Sequence, residues 1–189
     1  MSLNKIEINL YIFKKLIKRR LAMAKNIISF WRDTSPFSQW YQHVFTAHSI
    51  VIPVLDEASF TCAEQYMMAE KAILFGDEKT CEAIMSTKDP SEQKRLGRMI
   101  KNYDENIWNE WRERIVYAGN MAKFTSDENM RKILLSTGNK ILVEASPYDR
   151  IWGAGISEDD PRINDPKRWL GLNLLGKILM QVRENIKKE

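Results

Sequence analysis

Cysteine and histidine are scarce in this chain, two of each among 189 residues. A four-ligand metal site would consume nearly all of them, and Cys62 and Cys81 form no CxxC pair, so a rich metal site is excluded. One disulfide is arithmetically open, yet nothing marks the chain as secreted. Two buried or half-buried free thiols in a reducing compartment are the plainer expectation. No run of about eighteen apolar residues occurs, which argues against a membrane-spanning helix. Also missing are GxSxG, HExxH, a Walker loop and GxGxxG. Gly153-Ala154-Gly155 lacks the strand–turn–helix context that a dinucleotide loop needs. A Cys–His catalytic pair would rest on residue type alone. Carboxylates, lysines and aromatics remain, and these suit glycosidic or hemiaminal chemistry better than acyl transfer.

What is present describes a folded domain. The chain is 44% apolar with six Trp, seven Phe and six Tyr, enough to bury a real core within one domain. Its net charge of +4 is unevenly placed. Residues 1–32 hold eight Lys/Arg against one acidic residue, a balance of +7, whereas residues 33–189 carry twenty-one against twenty-four, a balance of −3. The body therefore has no global field for a polyanion, although a local anion pocket stays open.

Residues 1–25 form a basic extension. Within it, residues 8–25 read as an amphipathic helix, because Leu10, Phe13, Ile17, Leu21 and Ala24 recur at steps of three and four. Packing on the body or on a neighbouring subunit, a nucleic-acid or membrane-surface role, and partial order are all open. Lys14, Lys15, Lys18, Arg19 and Arg20 interrupt its apolar stretch, so a signal peptide is a poor reading. The cytoplasm is the default expectation. Met23 is a second candidate start.

Residues 26–189 read as one mainly helical α+β domain with a small sheet. Strands are expected at Ile27–Trp31, Val44–Phe45, Ile50–Leu55 and Ile141–Val143. Thr61 and Glu64 have capping-box spacing, predicting a helix from Thr61 to about Phe75, with Gly76 as the stop. Further helices are expected over Glu78–Met85, Pro90 to about Lys101, Glu105–Met121, Asp127–Leu135, and from Leu172–Leu174 onward. Residues 156–170, with Pro161 and Pro166, read as a loop.

On the first of these helices Glu64 and Lys71 lie two turns apart, so both face one side, with Gln65 and Met68 near the same stripe. A carboxylate there can stabilise positive charge on a sugar carbon or activate water. The lysine can donate a proton, or form a Schiff base if its pKa is lowered. Spacing alone favours an ordinary solvated helix face with a charge pair at its edge. The segment from Leu142 to Gly155 collects Glu144, Tyr148, Asp149, Arg150 and Trp152. Its two aromatics can sandwich a planar base, while Asp149 can bond the base, act as acid or base, or simply cap a turn. Trp108, Trp111 and Arg112 read mostly as core, with one Trp lining a cavity. Lys123 can satisfy helix-end carbonyls or reach a phosphate, Arg32 offers a second phosphate contact, and Asn173 is a cap or a ligand.

Several stretches, in this order and spacing, carry a family resemblance: Pro36-Phe37-Ser38-Gln39-Trp40-Tyr41, Ala63-Glu64-Gln65-Tyr66 leading to Lys71-Ala72, Leu96-Gly97-Arg98, and Lys123-Phe124. They continue with Leu134-Leu135-Ser136-Thr137-Gly138, Leu142 to Gly155, and Gly171-Leu172-Asn173-Leu174-Leu175-Gly176 running to Leu179-Met180-Gln181-Val182-Arg183. Over about residues 28–185 the chain resembles the NADAR or YbiA-like family, the riboflavin-biosynthesis-intermediate N-glycosidases. Gln39-Trp40 departs from the usual Asn-Phe, altering an amide and an aromatic of the expected pocket. The basic extension is a second departure.

The resemblance implies a single compact YbiA-like domain that hydrolyses the C1–N bond of a ribosylated base or amine. The implied substrate is ADP-ribose on guanine in nucleic acid or a phosphoribosylamino-pyrimidine of riboflavin biosynthesis. A non-catalytic module binding ADP-ribose or another nucleotide is the alternative. Residue chemistry and resemblance together give Glu64, Lys71 and Asp149 as the expected catalytic set. Arg32, Trp108, Lys123, Tyr148, Trp152, Gly153 and Asn173 form the expected substrate-binding set. Neither metal nor cofactor is required. The basic N-terminal helix is a candidate nucleic-acid contact.

Overall fold

The computed structural model describes residues 26–54 and 56–188, together with Lys15. The expected amphipathic helix over 8–25, and any contact it makes, otherwise lies outside the described residues.

The fold is mainly helical with little sheet, as expected; among the described residues the strands form two short pairs. Strand β1 (Ile27–Phe30) runs parallel to β4 (Ile141–Glu144), with Phe30 opposite Glu144. Strand β2 (Phe45–Ala47) pairs antiparallel with β3 (Ala58–Phe60). The expected strand at Ile50–Leu55 does not form over its described residues, 50–54. Ile50 and Val51 instead donate their backbone N–H groups to the buried Glu70 carboxylate at 2.9 and 3.2 Å, which holds this stretch in a turn.

Between β3 and β4 lie five helices: α1 (Ala63–Leu74), α2 (Glu78–Ser86), α3 (Pro90–Gly97), α4 (Glu105–Thr125) and α5 (Glu128–Ser136). The last helix, α6, spans Leu174–Ile186. Four helix starts follow local chemistry: the carboxylates of Asp77, Asp89, Asp104 and Asp127 accept backbone N–H groups of α2, α3, α4 and α5 respectively. Helix α1 departs from its expected capping box. Cys62 is its N-cap without a side-chain bond, and Gln65 Oε1 accepts from Thr61 N and Oγ1 at 2.7 and 3.1 Å. Gln65 thus performs the reach-back assigned to Glu64, and Glu64 is released from capping. Residues 156–170 contain two 3₁₀ turns, Pro161–Asn164 and Pro166–Arg168, where a plain loop is expected.

Helix α1 is central, packed against α2, α3 and α4, while α6 lies against α4 and β4. Tyr66, Ile115, Phe124, Leu134, Leu142 and Leu179 belong to the main core. Val143 and Ala145 face a smaller cluster with Ala154, Ile156 and Ile163. Strand alternation therefore puts Glu144 on the Leu142 side, at the strand end where the main core gives way to a cavity. Among the described residues no helix is long and apolar enough to cross a membrane.

Candidate active site

Helix periodicity builds the first wall. Glu64, Met67, Met68 and Lys71, at steps of three, four and seven, line one side of a cavity of about 680 Å³. Gln65 leaves the expected stripe and points away, donating to the carbonyls of Ile84, Met85 and Thr87. Lys94, Gly97 and Arg98 of α3 and its C-terminal end add to this side. A Cβ on Gly97 would meet the Met68 side chain, so glycine here leaves Met68 its place between α1 and α3. The Gly97 carbonyl accepts a hydrogen bond from Lys71 Nζ at 2.9 Å. The same ammonium lies 4.4 Å from the Tyr103 ring centroid and 5.3 Å from that of Trp108.

The opposite wall is a loop. Glu144, Ser146, Tyr148, Asp149, Ile151 and Trp152 line it. Asp149 Oδ1 accepts the backbone N–H groups of Ile151 and Trp152 at 2.9 and 2.8 Å, folding the turn that carries Trp152 inward. Tyr148 is 88% exposed and stands at the rim, its ring 6.5 Å from that of Trp31. Arg32 also reaches the rim, with φ of 64° and its guanidinium 4.8 Å above the Trp31 ring.

Three of the expected substrate-binding residues take structural positions instead. Lys123 is fully buried outside the cavity lining, and its Nζ donates to the Ser38 carbonyl at 2.8 Å. Burial pulls its pKa down to about 7, so it fastens the floor segment from behind rather than meeting a phosphate. Asn173 is fully buried in left-handed backbone, with Oδ1 accepting from Glu144 N and Nδ2 donating to Leu142 O, both at 3.0 Å. Gly153 lies behind the loop. A Cβ there would come within 2.9 Å of Asp149 O and 3.1 Å of Glu144 O, so it permits the fold of the wall without facing the cavity. The other expected residues, Glu64, Lys71, Asp149, Arg32, Trp108, Tyr148 and Trp152, all line one space.

Electrostatics singles out two carboxyls. Glu64 is 4% exposed, and its Oε1 has no hydrogen-bond partner. Burial raises its pKa to about 7, opposed chiefly by Lys94 and the Trp40 side chain. Glu144 Oε2 is likewise buried and unpartnered, and burial, helped by Asp149, raises its pKa to about 8. Burial also lowers the Lys71 pKa, against the pull of Glu64. Near neutral pH the site therefore holds carboxyls able to give a proton beside others able to take one.

Glu144 lies outside the expected catalytic set, although it sits in the marked segment. Trp31, Gln39, Trp40, Lys94 and Arg98 were also missing from the expected sets. Arg98 belongs to the Leu96-Gly97-Arg98 stretch, and Lys94 stands one turn before it, which is the available signal. Among the described residues, no group of three or more His, Cys, Asp or Glu is placed to hold a metal ion.

The helical α+β domain thus brings acidic, basic and aromatic side chains around one cavity. The NADAR domain model matches residues 29–187, and the chain belongs to that family. N-glycosidase R617 of Acanthamoeba polyphaga mimivirus is 43% identical over 149 residues, covering 78% of this chain and 85% of its own. The chloroplastic riboflavin biosynthesis protein PYRR of Zea mays is 31% identical over 170 residues, covering 85% of this chain and 25% of its own. The solution NMR structure of Escherichia coli YbiA superimposes with a TM-score of 0.66 at 26% identity, covering 86% of both chains. Curated relatives carry the N-glycosidase name, and the chain is an N-glycosyl hydrolase.

Proposed function

We propose that the substrate is a phosphate-bearing ribosylated base, cleaved at its C1–N bond by the two buried carboxyls working as an acid–base pair. The observation that carries this reading is the unpartnered state of Glu64 Oε1 and Glu144 Oε2 on two residues lining one cavity. Buried polar atoms are costly to leave unsatisfied, and a substrate supplies the missing partners. Glu144, with the higher pKa, gives its proton to the leaving nitrogen. Glu64, ionised, stabilises positive charge at C1 and takes a proton from the attacking water. The C1–N electron pair leaves with the base, and the water oxygen forms the new bond to C1. Trp108, Trp152 and Tyr148 offer faces for the base, while Arg32, Lys94 and Arg98 offer positive charge for phosphate.

ADP-ribose on guanine in nucleic acid is the first substrate reading, supported by the +7 balance of residues 1–32, which can draw a polyanion. A phosphoribosylamino-pyrimidine is the second, favoured by the likeness to the maize riboflavin protein. We place the reaction in the cytoplasm, a reading supported by two unpaired thiols, Cys62 and Cys81. The test is product analysis with both substrates offered side by side. Release of free base with ADP-ribose, or of amine with ribose phosphate, is expected. Folded protein that cleaves neither overturns the substrate reading. Comparing the salt dependence of turnover with that of a form starting at Met23 tests the basic segment, whose steering role predicts a shallower salt slope after truncation.

A further inference from the structure

We infer that Gln39 is a specificity-determining residue, its amide N–H turned by Asn120 to donate to a carbonyl oxygen on the leaving base. This rests on the reading that the cavity takes a ribosylated base. The orientation follows from one fixed acceptor. The Val116 backbone carbonyl can only accept, and Asn120 Nδ2 donates to it at 2.8 Å. The second proton of the same Nδ2 goes to Gln39 Oε1, also at 2.8 Å. Turning Asn120 over would press its Oδ1 against two oxygens, so both amides are locked by the network. The arrangement leaves Asn120 Oδ1 buried with no partner, a cost that the opposite orientation does not relieve without that repulsion.

With its oxygen committed, Gln39 has only nitrogen left to offer. The acceptor Nε2 finds is Met67 Sδ, 4.0 Å away and a weak one. Gln39 is 9% exposed, and both it and Met67 line the cavity. A two-proton donor is thus held at the cavity wall without a full partner. The Gln39 carbonyl also receives the Glu64 backbone N–H at 2.9 Å, so the donor and the catalytic carboxyl are carried by bonded segments. A base with a ring carbonyl, as guanine and pyrimidinones have, completes the donor. A base with C–H at that place leaves it unpaired, and a site built to hydrogen-bond rejects such an analogue.

The test uses full-length protein with inosine 5′-monophosphate and purine riboside 5′-monophosphate, a pair distinguished by the ring carbonyl. Calorimetry should show the first binding about tenfold more tightly to the parent. Gln39→Met, which keeps length but not the donor, should bring the two to parity. Asn120→Asp, as a neutral buried acid, can donate to Val116 O and accept from Gln39 Nε2. That turns Gln39 Oε1 to the cavity, so the preference should vanish or reverse. Circular dichroism checks that each variant is folded, and either one suffices. Equal binding to the parent, or a preference that survives either folded variant, overturns the inference while leaving a nucleotide cavity standing. If neither nucleotide binds the parent, the base-binding reading fails and the inference falls with it.

Discussion

The two walls of the cavity each present a buried carboxyl, but they are made by different means. On α1 the backbone positions Glu64, and its place relative to Lys71 follows from helix geometry alone. Opposite, Glu144 ends a four-residue strand, and its surroundings are set by Asn173, bonded to its backbone, and by the turn that Asp149 folds at Trp152. The Glu64–Lys71 face is fixed by periodicity within a single element. The opposite wall is assembled from residues up to twenty-nine positions apart in sequence. Helix geometry suits a group whose position must hold through the reaction, whereas a loop can bring varied side chains to a substrate.

Substituting the helix wall should have the larger effect. Glu64→Gln keeps size and hydrogen bonding but deletes the charge at C1, and should lower kcat by about 10²–10⁴-fold with the fold intact. Near-normal kcat in folded variant protein, on a substrate the parent cleaves, would remove Glu64 from the mechanism.

The loop wall should answer through pH. Ionisation of Glu64 makes kcat/KM rise toward pH about 7, and deprotonation of Glu144 makes it fall above about 8, giving a bell. Glu144→Gln should cost roughly 10²-fold and abolish the alkaline limb. An unchanged alkaline limb would assign the proton donation elsewhere.

Lys71 joins α1 to the C-terminal end of α3 through the Gly97 carbonyl. Lys71→Ala should reduce turnover by about tenfold to a hundredfold if the amine moves a proton or forms a covalent adduct. A mere phosphate contact would raise KM with kcat retained. Borohydride treatment during turnover separates the first two, since an adduct on Lys71 marks the covalent route.

Asp149 should show the smallest effect. Asp149→Asn keeps an oxygen for the turn at Ile151 and Trp152 while removing the charge that raises both glutamates. Turnover should stay within about tenfold, with both limbs of the bell displaced to lower pH. A loss near 10²-fold at the optimum would instead make Asp149 a proton-transfer group, the role its residue type first suggests.

Legibility followed the same division. The five central helices and the Glu64–Lys71 face are visible in the sequence because periodicity and stop residues are local signals. The density of carboxylates and aromatics between Leu142 and Gly155 marked that loop. What escaped was set by long-range contact. Lys123 reads as a helix-end lysine but is buried on Ser38, eighty-five positions away. Gln65 takes the capping reach-back expected of Glu64, because Cys62 and not Thr61 is the N-cap. Strand Ile50–Leu55 was lost to a carboxylate on α1. Glu144 looked like one polar loop residue among several until alternation along β4 and the cavity singled it out.

The amide of Asn173 also has a bearing on colloidal behaviour. It meets β4 as a neighbouring strand would, giving a proton to Leu142 O and taking one from Glu144 N, while Ala154 N serves the Glu144 carbonyl at 2.8 Å. The side of β4 away from β1 is therefore already saturated along this stretch. An unsaturated strand flank is a template on which another chain can add, the first step toward intermolecular sheet and precipitation. The Asn173 amide, in left-handed backbone, and Ala154 N together occupy Leu142 O, Glu144 N and Glu144 O on that flank, leaving none of the three to pair with a further strand.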